Sequence, residues 1–371
     1  MMHGRNWRKD FRMNLDIYND RKVLVTGDTG FKGSWMCEVL LSKGAHVYGY
    51  ALKPEKDSLW NMLNLDRKTE TCYGDIRDLK MLTEFVHMIQ PEIVIHMAAQ
   101  PLVRFSYEEP VYTYETNVIG TVNILESIRL TDSVRSFVNV TTDKVYKNRE
   151  WEWGYRENEE LNGYDPYSNS KSCSELVTSA YMNSFFNRGT NGREVAISTV
   201  RAGNVIGGGD FARDRIIPDC VRAAYKKADI IVRNPYSTRP YQHVLEPVVA
   251  YLMIAGEQCK DITKAGNYNI GPDEIDCYST GDIVDAFCKE WFKQTGEELK
   301  WINNHDSGPH EASYLKLDCS KVKKTFGWTP TWTVNESMKR IVEWYHAYRQ
   351  NENMGDITRK QIEKYLQEYR C

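Results

Sequence analysis

Tyr167 and Lys171, four residues apart, are the pair of side chains best suited to proton transfer. Helical spacing would place them on one face, one turn apart. An ammonium group beside a phenol favours the phenolate, so the tyrosine can act as a base near neutral pH. Because this spacing is common by chance, an ordinary surface pair is the alternative, and the pair needs support from the preceding segments.

A second reactive group, Thr142, Asp143 and Lys144, follows the β-branched apolar run 136–141. The run predicts a buried strand that leads into an active-site loop. Thr142 can hydrogen-bond the same substrate oxygen as the tyrosine. Asp143 and Lys144 add an acid/base pair that simple hydride transfer does not need, and a loop salt bridge is the alternative.

A glycine-rich turn near the N-terminus predicts a dinucleotide site. The apolar run 22–26 precedes it and an amphipathic stretch, 34–42, follows it, in the order strand, turn, helix. Gly27, Gly30 and Gly33 permit a sharp turn and a close approach to a pyrophosphate at the helix N-terminus. A glycine triplet alone is a weak signal, but the flanking strand and helix supply the expected context.

The end of the predicted second strand, 46–51, bears on the choice of cofactor. An acidic residue there would bind the ribose 2′-hydroxyl, and a basic one would bind a 2′-phosphate. Leu52 and Lys53 stand at this position. The residues alone therefore leave NAD and NADP open, with Lys53 slightly favouring NADP.

Two further predicted strands, 69–73 and 93–97, end in residues expected near a cofactor. An aspartate after the third strand is expected to meet the adenine or to cap the helix that follows. Small residues after the fourth strand allow the chain to pass close to a ligand. Asn117, in the predicted helix 111–130, either braces the active-site loop or is an ordinary polar helix residue.

The alternation of strands and helices predicts an α/β fold with a Rossmann-type, doubly wound parallel sheet. Such sheets bind ligands at the carboxyl ends of their strands. Gly27, Ala98, Thr141 and 200–204 all lie at such ends, so we expect them to meet in one crevice. After that point the alternation breaks, which predicts a smaller C-terminal α/β substrate-binding lobe.

We predict four regions along the chain. Residues 1–20 form a poorly ordered N-terminal extension. Residues 21–203, with returning segments near 241–271, form the NAD-binding domain. Residues 204–350 are mainly the substrate-binding lobe, and residues 351–371 are a charged C-terminal tail with helical spacing on the surface.

Composition excludes several classes of protein. The chain has 371 residues, 41% of them hydrophobic and 27% charged, which is ordinary for a globular protein with a substantial core. A net charge of -3 gives no reason to expect nucleic acid. Nine cysteines without a C-x-x-C pair predict reduced thiols in a cytoplasmic protein. The histidines do not cluster like metal ligands, and no apolar run reaches membrane-spanning length.

Taken together, the motifs resemble the extended short-chain dehydrogenase/reductases that act on nucleotide sugars, and within them the 4,6-dehydratases of CDP-glucose. The turn Phe31-Lys32-Gly33-Ser34-Trp35 and the pair Asp143-Lys144 are the most specific to this subgroup. The resemblance extends from about residue 22 to about residue 344. Its matching segments are 26–35, 96–103, 116–121, 142–144, 165–171, 201–210, 239–247 and 310–318.

The chain also departs from the subgroup. Asp28 stands where a histidine is usual, and its charge would repel a pyrophosphate unless the side chain points away. Val145 replaces a cysteine, Tyr241 replaces a tryptophan, and Asn162 stands where glycine is common. None of these changes touches the acid/base set.

The resemblance implies conversion of CDP-D-glucose to CDP-4-keto-6-deoxy-D-glucose with recycled NAD. Oxidation at C4 makes the C5 proton acidic, water then leaves across C5 and C6, and the hydride returns to C6. Tyr167, helped by Lys171 and Thr142, takes the 4-hydroxyl proton. Asp143 is the expected acid. Lys144 is the expected C5 base if burial lowers its pKa, or else it only stabilises the enolate.

The resemblance also implies a set of binding residues. Expected at the cofactor are Gly27, Thr29, Gly30, Phe31, Lys32, Gly33, Asp75, Ile76, Ala98, Ala99, Gln100, Asn117, Thr141, Tyr167, Lys171 and Arg201. Expected at the substrate are Gln100, Asn204, Arg215, Arg239, His243 and Tyr314. Guanidinium forks suit phosphate oxygens, so both arginines are candidates for the diphosphate. A structural hydrogen bond is the alternative role of His243.

Apolar and aromatic residues on 111–130 and 167–186 exceed what one sheet face requires. In the family that the chain resembles, such helices pair across a two-fold axis, which implies a homodimer.

Two other functions compete with the dehydratase. A 4-epimerase of the same fold would need only the threonine, tyrosine and lysine, which leaves Asp143 and Lys144 without a task. A non-catalytic NAD(P)-binding protein would be expected to have lost Tyr167 or Lys171, and both are present.

Overall fold

The centre of the protein is a seven-stranded sheet in which all neighbouring strands are parallel. The computed structural model describes residues 15–186, 194–304 and 314–369. The strands, in chain order, are β1 (Lys22–Thr26), β2 (His46–Ala51), β3 (Glu70–Tyr73), β4 (Ile93–His96), β5 (Ser136–Thr142), β6 (Ala196–Ala202), β7 (Val205–Ile206), β8 (Ile230–Val232), β9 (Thr238–Arg239), β10 (Gln242–His243), β11 (Asn267–Ile270), β12 (Tyr278–Ser279) and β13 (Trp301–Asn303). The sheet order β3-β2-β1-β4-β5-β6-β11 confirms the predicted doubly wound α/β fold.

Helices cover both faces of the sheet. They are α1 (Phe31–Ser42), α2 (Leu59–Met62), α3 (Leu79–Ile89), α4 (Val103–Glu108), α5 (Pro110–Tyr114), α6 (Gly120–Arg129), α7 (Pro166–Phe185), α8 (Ile216–Lys226), α9 (Leu245–Lys260), α10 (Thr280–Thr295), α11 (Ser320–Phe326), α12 (Val334–Arg349) and α13 (Met354–Glu368). Alternate residues of one strand belong to different cores: Val23 and Val25 pack with α1 and α9, whereas Leu24 packs with α3 and α6. The central strands are therefore buried on both sides, as their apolar runs indicate.

The predicted helix 111–130 is interrupted by a π-helical turn, Glu115–Ile119, between α5 and α6. Such turns occur often at functional sites. This one carries Asn117, which is buried beside the active-site helix α7.

The smaller lobe is built on three two-stranded sheets: β7 with β10, β8 with β13, and β9 with β12. Helices α8 and α10 pack against each other, and α10 packs against α12. A lobe after β6 was expected from the break in alternation, and its boundary at residue 203 stays a prediction.

Both chain ends differ from what the sequence predicted. Residues 1–14 of the expected extension lie outside the described residues. The rest of it is ordered: Tyr18 is fully buried, and its hydroxyl donates to the Leu252 carbonyl at 2.6 Å. At the other end, the predicted tail is α13, which buries Ile362 and Tyr365 against the core.

None of the helices in the described part of the chain combines the length and the apolar character needed to span a bilayer.

Candidate active site

The turn between β1 and α1 is shaped by close backbone approach. Gly27 has a φ of +75°, and a Cβ there would lie 2.8 Å from the Ala98 nitrogen. A Cβ on Gly33 would lie 2.3 Å from the Gly27 carbonyl oxygen. Helix α1 begins at Phe31, three residues earlier than predicted, because Gly30 takes the N-cap position in an extended conformation. No side chain caps this end, so its N–H groups suit a phosphate.

A cavity of about 850 Å³ runs from this turn, along the carboxyl ends of the strands, into the smaller lobe. The predicted site residues that line it are Gly27, Thr29, Gly30, Phe31, Lys32, Gly33, Asp75, Ile76, Ala98, Ala99, Thr141, Thr142, Asp143, Lys144, Tyr167, Lys171, Asn204, Arg215 and Arg239. The convergence expected from strand ends is therefore present.

Thr142 ends β5 and links two of the reactive side chains. Its hydroxyl donates to Asp143 Oδ1 at 2.9 Å and shares a hydrogen bond with Tyr167. Asp143 Oδ2 is buried and has no hydrogen-bond partner among the described residues. Burial raises the pKa of Asp143 above its usual range, while Lys144 and Arg239 act in the opposite direction. A buried carboxyl held in its protonated form can serve as an acid.

Tyr167 and Lys171 lie one turn apart on α7, as their spacing predicted, and both side chains are buried. Burial raises the pKa of Tyr167 to about 12, against the opposing hydrogen bond from Thr142. Lys171 is not among the groups that lower this pKa; its ammonium donates to the Val140 carbonyl at 3.1 Å. Burial lowers the pKa of Lys171 itself to about 8. The expectation that Lys171 favours the phenolate of Tyr167 stays a prediction.

Lys32 adds another cation to the same cavity. Its ammonium lies 5.5 Å from the centre of the Tyr251 ring. Burial lowers the pKa of Lys32 to about 7, with Lys171 and Arg215 acting in the same direction. Several basic groups therefore crowd around the carboxyl of Asp143, which suits an anionic ligand.

Arg201 does not line the cavity, in contrast to its predicted cofactor contact. The guanidinium is buried and donates from Nε to both oxygens of Glu175, at 2.9 and 3.0 Å. Its Nη1 donates to the Tyr146 hydroxyl at 2.7 Å. Side chains alternate along a strand, and the next residue of β6, Ala202, is the one that reaches the cavity.

Gln100 and Asn117 also lie outside the cavity wall, so neither of their predicted ligand contacts is supported. The Gln100 side chain donates to the Leu102 carbonyl and to the Thr113 hydroxyl. Asn117 Nδ2 donates to the Gln100 carbonyl at 3.1 Å and to Ser170 Oγ at 2.9 Å. Asn117 thus braces the loop after β4 against α7, which agrees with the bracing role considered for it.

His243 and Tyr314 are likewise not at the cavity. His243 is fully buried between the Trp35 and Trp332 rings, and burial lowers its pKa to about 3. Tyr314 forms an isolated bridge to Thr238. Their predicted substrate contacts are not supported, and the structural alternative suits His243.

Asp28 points away from the turn that would hold a pyrophosphate. The side chain is fully buried, and its Oδ2 accepts a 2.7 Å hydrogen bond from the Thr71 hydroxyl. A Cβ on Gly49 would lie 1.8 Å from that oxygen, so the glycine makes room for the carboxyl. Burial raises the pKa of Asp28 to about 7. The expected repulsion is therefore avoided.

The aspartates after β3 have separate tasks. Asp78 caps α3, since its side chain accepts from the Met81 N–H at 3.0 Å. Asp75 lines the cavity, and hydrogen bonds from Arg77 lower its pKa. At the end of β2, Leu52 lines the cavity but Lys53 does not, so the placement gives no support to the 2′-phosphate contact that favoured NADP.

Sequence reasoning missed three arginines of the cavity wall: Arg104, Arg213 and Arg233. The signal available in the sequence for Arg213 and Arg233 was the high density of arginines between residues 213 and 239. Two of the cavity arginines form ion pairs, Arg215 with Asp210 at 3.0 Å and Arg233 with Asp214 at 2.6 Å. The lobe therefore presents a wall of arginines that is partly neutralised by Asp210 and Asp214.

The sheet order, the dinucleotide turn, the threonine at the end of β5 and the tyrosine and lysine of α7 define an extended short-chain dehydrogenase/reductase. The model of the GDP-mannose 4,6 dehydratase family matches residues 24–341, and the chain belongs to this family.

Individual proteins agree with this assignment. The chain is 47% identical over 357 residues to the CDP-glucose 4,6-dehydratase of Salmonella typhimurium, covering 95% of this chain and 98% of the relative. Its fold is similar to the dTDP-glucose 4,6-dehydratase of Bacillus anthracis in complex with NAD, with a TM-score of 0.72, 20% identity, and 89% and 98% of the two chains covered. The UDP-glucose 4-epimerase of Thermotoga maritima is similar at a TM-score of 0.74 and 22% identity, with 88% and 99% covered.

Proposed function

We propose that this protein is an NAD-dependent 4,6-dehydratase that converts CDP-D-glucose to CDP-4-keto-6-deoxy-D-glucose and water. The observation that carries this proposal is the position of Asp143 and Lys144 beside Thr142 and Tyr167 in one cavity. An epimerase needs the threonine and tyrosine but gives the other pair no task. The 47% identical relative, a CDP-glucose 4,6-dehydratase, supports the choice of nucleotide.

The residues at the β1 end of the cavity fit a dinucleotide. Gly27 and Gly33 allow the backbone of the turn to pack so tightly that no Cβ fits, and the uncapped N-terminus of α1 offers N–H groups to the pyrophosphate. Ala98 and Ala99 let a ligand lie close to the end of β4, and Asp75 is available to the adenosine end. Bound NAD would accept the C4 hydride and return it at C6.

Tyr167 and Thr142 act on the 4-hydroxyl of the hexose. Their shared hydrogen bond places both oxygens where one substrate hydroxyl can contact them. We expect Tyr167 to accept the 4-hydroxyl proton as a phenolate. Lys171, one turn further along the same helix, is the expected cationic partner of that phenolate, and burial lowers its pKa to about 8.

Asp143 and Lys144 carry out the elimination. The protonated carboxyl of Asp143 gives its proton to the departing 6-hydroxyl through Oδ2, the oxygen left without a partner. Lys144 is only half-buried. It removes the C5 proton in its neutral form, or as an ammonium it stabilises the enolate.

The diphosphate of the substrate lies against Arg215 and Arg239. Both guanidinium groups line the cavity on the lobe side, and Arg239 acts electrostatically on Asp143. A diphosphate bound by these two arginines would lie close to the hexose site.

The proposal also includes the oligomeric state of the protein and its location in the cell. Exposed apolar side chains on the outer faces of α5 to α7, Val111, Ile119 and Leu176, suit a homodimer formed by these helices. A dimer mass in light scattering, and a monomer mass for Leu176→Asp, are the expected results. All eight cysteines of the described residues are free thiols, which suits a cytoplasmic protein.

The decisive experiment incubates the protein with NAD and with CDP-, dTDP-, GDP- and UDP-hexoses in turn. Mass spectrometry detects loss of water, and alkali-induced absorbance detects the 4-keto-6-deoxy sugar. Water loss from CDP-glucose is the expected result. A change without loss of mass would indicate the epimerase, and no change with any sugar would overturn the enzymatic proposal.

A further inference from the structure

The side-chain oxygens of Tyr167, Thr142 and Asp143 form a short chain of hydrogen bonds in the cavity wall. A threonine hydroxyl has one proton to donate and two lone pairs that can accept. The Thr142 proton goes to Asp143 Oδ1 at 2.9 Å, and the Lys144 N–H occupies one lone pair at 3.4 Å. The other lone pair is left for Tyr167, with which Thr142 shares a hydrogen bond. The chain therefore runs from the phenol, through the threonine, to the carboxyl.

The proposed reaction leaves one proton in the wrong place at the end of each turnover. The hydride that leaves C4 returns to C6, and the proton that leaves C5 is replaced there, so neither changes the final balance. The 4-hydroxyl proton stays on Tyr167, whereas Asp143 has given its proton to the departing 6-hydroxyl to form water. The tyrosine then holds one proton too many and the aspartate one too few, so a second turnover cannot start.

Bulk water is poorly placed to correct this imbalance. Asp143 is 1% exposed and Tyr167 is 9% exposed, and both line the cavity that the substrate would fill. Asp143 Oδ2 has no hydrogen-bond partner among the described residues, whereas Oδ1 is joined to Thr142. The chain through the threonine is therefore the short path from the phenol to the carboxyl.

We propose that Thr142 relays the surplus proton from Tyr167 to Asp143 and so resets the site for the next turnover. This inference rests on the proposed function, because the imbalance exists only if oxidation and elimination use these two residues. It gives the threonine a task beyond its contact with the 4-hydroxyl, and it links the base of the first step to the acid of the second.

The relay moves two protons by one hydrogen bond each. The Tyr167 O–H bond breaks as its proton joins Thr142 Oγ1, and the Thr142 O–H bond breaks as its own proton joins Asp143 Oδ1. The phenolate and the carboxylic acid are restored, the threonine is unchanged, and no group is oxidised or reduced. Rotation about the Cβ–Cγ bond of Asp143, a broad two-fold torsion, then exchanges its oxygens and presents the new proton to the next substrate.

Rapid-quench kinetics separates the relay from the contact between Thr142 and the substrate. Thr142→Val keeps the shape of the side chain and removes the hydroxyl. With NAD and CDP-glucose, this variant should complete a first turnover at each site and then continue at least about tenfold more slowly. Loss of a substrate contact alone would slow the first and later turnovers alike. Mass spectrometry of the quenched sugar measures both phases.

A small acid should replace the relay from outside. In Thr142→Val the slow phase should accelerate in proportion to the concentration of imidazole buffer at constant pH, whereas the wild-type protein should not respond. Thr142→Ser keeps a hydroxyl and should show neither the slow phase nor the buffer dependence. Thr83→Val is the matched control and should also show neither, because Thr83 lies on α3, pairs with Ser127 and does not line the cavity.

The same kinetics can overturn the relay. If Thr142→Val is slowed equally in its first and later turnovers, Thr142 only orients the substrate. A slow phase that buffer does not accelerate would assign the delay to product release. Wild-type protein that releases no water from CDP-glucose would instead refute the dehydratase, and the relay with it.

Discussion

The two ends of the active-site cavity are lined by different parts of the chain, backbone at one end and side chains at the other. At the β1 end the wall is backbone: Gly27 and Gly33 approach other main-chain atoms so closely that no side chain fits. At the lobe end the wall is side chains, with Arg215 paired to the buried Asp210 and Arg233 paired to the half-exposed Asp214. Main-chain walls leave little freedom for substitution, whereas long side chains can be exchanged without moving the fold. The first end suits a cofactor that never changes, and the second suits a substrate whose base and sugar differ between relatives.

Lys144 lines the cavity between its two ends, and we expect its replacement to have the largest effect on catalysis. Lys144→Met should lower the rate of dehydration about 1000-fold, because acid/base groups typically contribute about 100- to 10,000-fold. Oxidation at C4 should persist and leave reduced cofactor bound, visible at its near-ultraviolet absorbance. Lys147→Met is the matched control, since Lys147 is exposed and pairs with Glu160. Normal dehydration by Lys144→Met would remove that lysine from the mechanism.

Adding a single methyl group to Gly33, in the backbone-lined end of the cavity, should have the second-largest effect. Gly33→Ala should weaken NAD binding at least about 100-fold, because its Cβ would overlap main-chain atoms that cannot yield. Titration with NAD, followed by tryptophan fluorescence, measures the change.

Gly296→Ala is the control for the glycine substitution. Its φ is +73°, but nothing lies within 4 Å of the added Cβ, so it should cost about 1 kcal/mol of stability and leave NAD binding unchanged. Wild-type NAD affinity in Gly33→Ala would show that the turn is not a close-fitting wall.

The buried carboxyl of Asp28, which follows Gly27 in the turn between β1 and α1, should make the stability of the fold depend on pH. Its folded pKa of about 7 lies above the ordinary value of 3.8, so the folded protein binds the extra proton between those values. The protonated Asp28 carboxyl therefore contributes stability to the fold that is fully present below about pH 4 and is lost as the pH rises through about 7. Asp28→Asn should therefore gain on the order of 2 kcal/mol relative to wild type between pH 5 and pH 8.

Urea unfolding at both pH values measures the Asp28 effect, with the exposed Asp66→Asn as control. A constant difference between Asp28→Asn and wild type at the two pH values would contradict the assignment of a protonated carboxyl.

The side-chain end should respond most mildly. Arg215→Met should raise the KM for the nucleotide sugar about tenfold, the loss of one charge-assisted phosphate contact. It should also lower the unfolding temperature, because it leaves the buried carboxylate of Asp210 without this ion-pair partner. Arg359→Met, which removes an exposed ion pair on α13, should change neither quantity. An unchanged KM in Arg215→Met would show that Arg215 does not contact the diphosphate.

The backbone end was predictable from sequence because glycine spacing and strand order carry its geometry. Gly27, Gly30 and Gly33 fall where the turn needs them, and the predicted strand 46–51 has the bounds of β2. The start of α1 was placed late because a glycine N-cap gives no side-chain signal.

The lobe end was predicted only in part, since Arg215 and Arg239 were expected there but Arg104 and Arg233 were not. Side-chain directions elsewhere depend on partners that are distant in the chain. Arg201 ends a strand that leads to the cavity, yet its side chain faces the opposite side toward Glu175. The hydrogen bond from the Lys171 ammonium to the Val140 carbonyl is likewise a contact that helical spacing alone does not contain. The charged C-terminal segment hid its few apolar positions, Ile362 and Tyr365, which anchor α13.

The buried pair of Glu175 and Arg201 has a consequence for how this protein can vary. Loss of either partner alone strands an opposite charge in the core, at a cost of roughly 3 to 5 kcal/mol. Joint replacement by apolar residues of similar volume avoids that cost. The two positions are thus epistatic: libraries that randomise one at a time will recover only defective variants, and viable paths through sequence space change both at once.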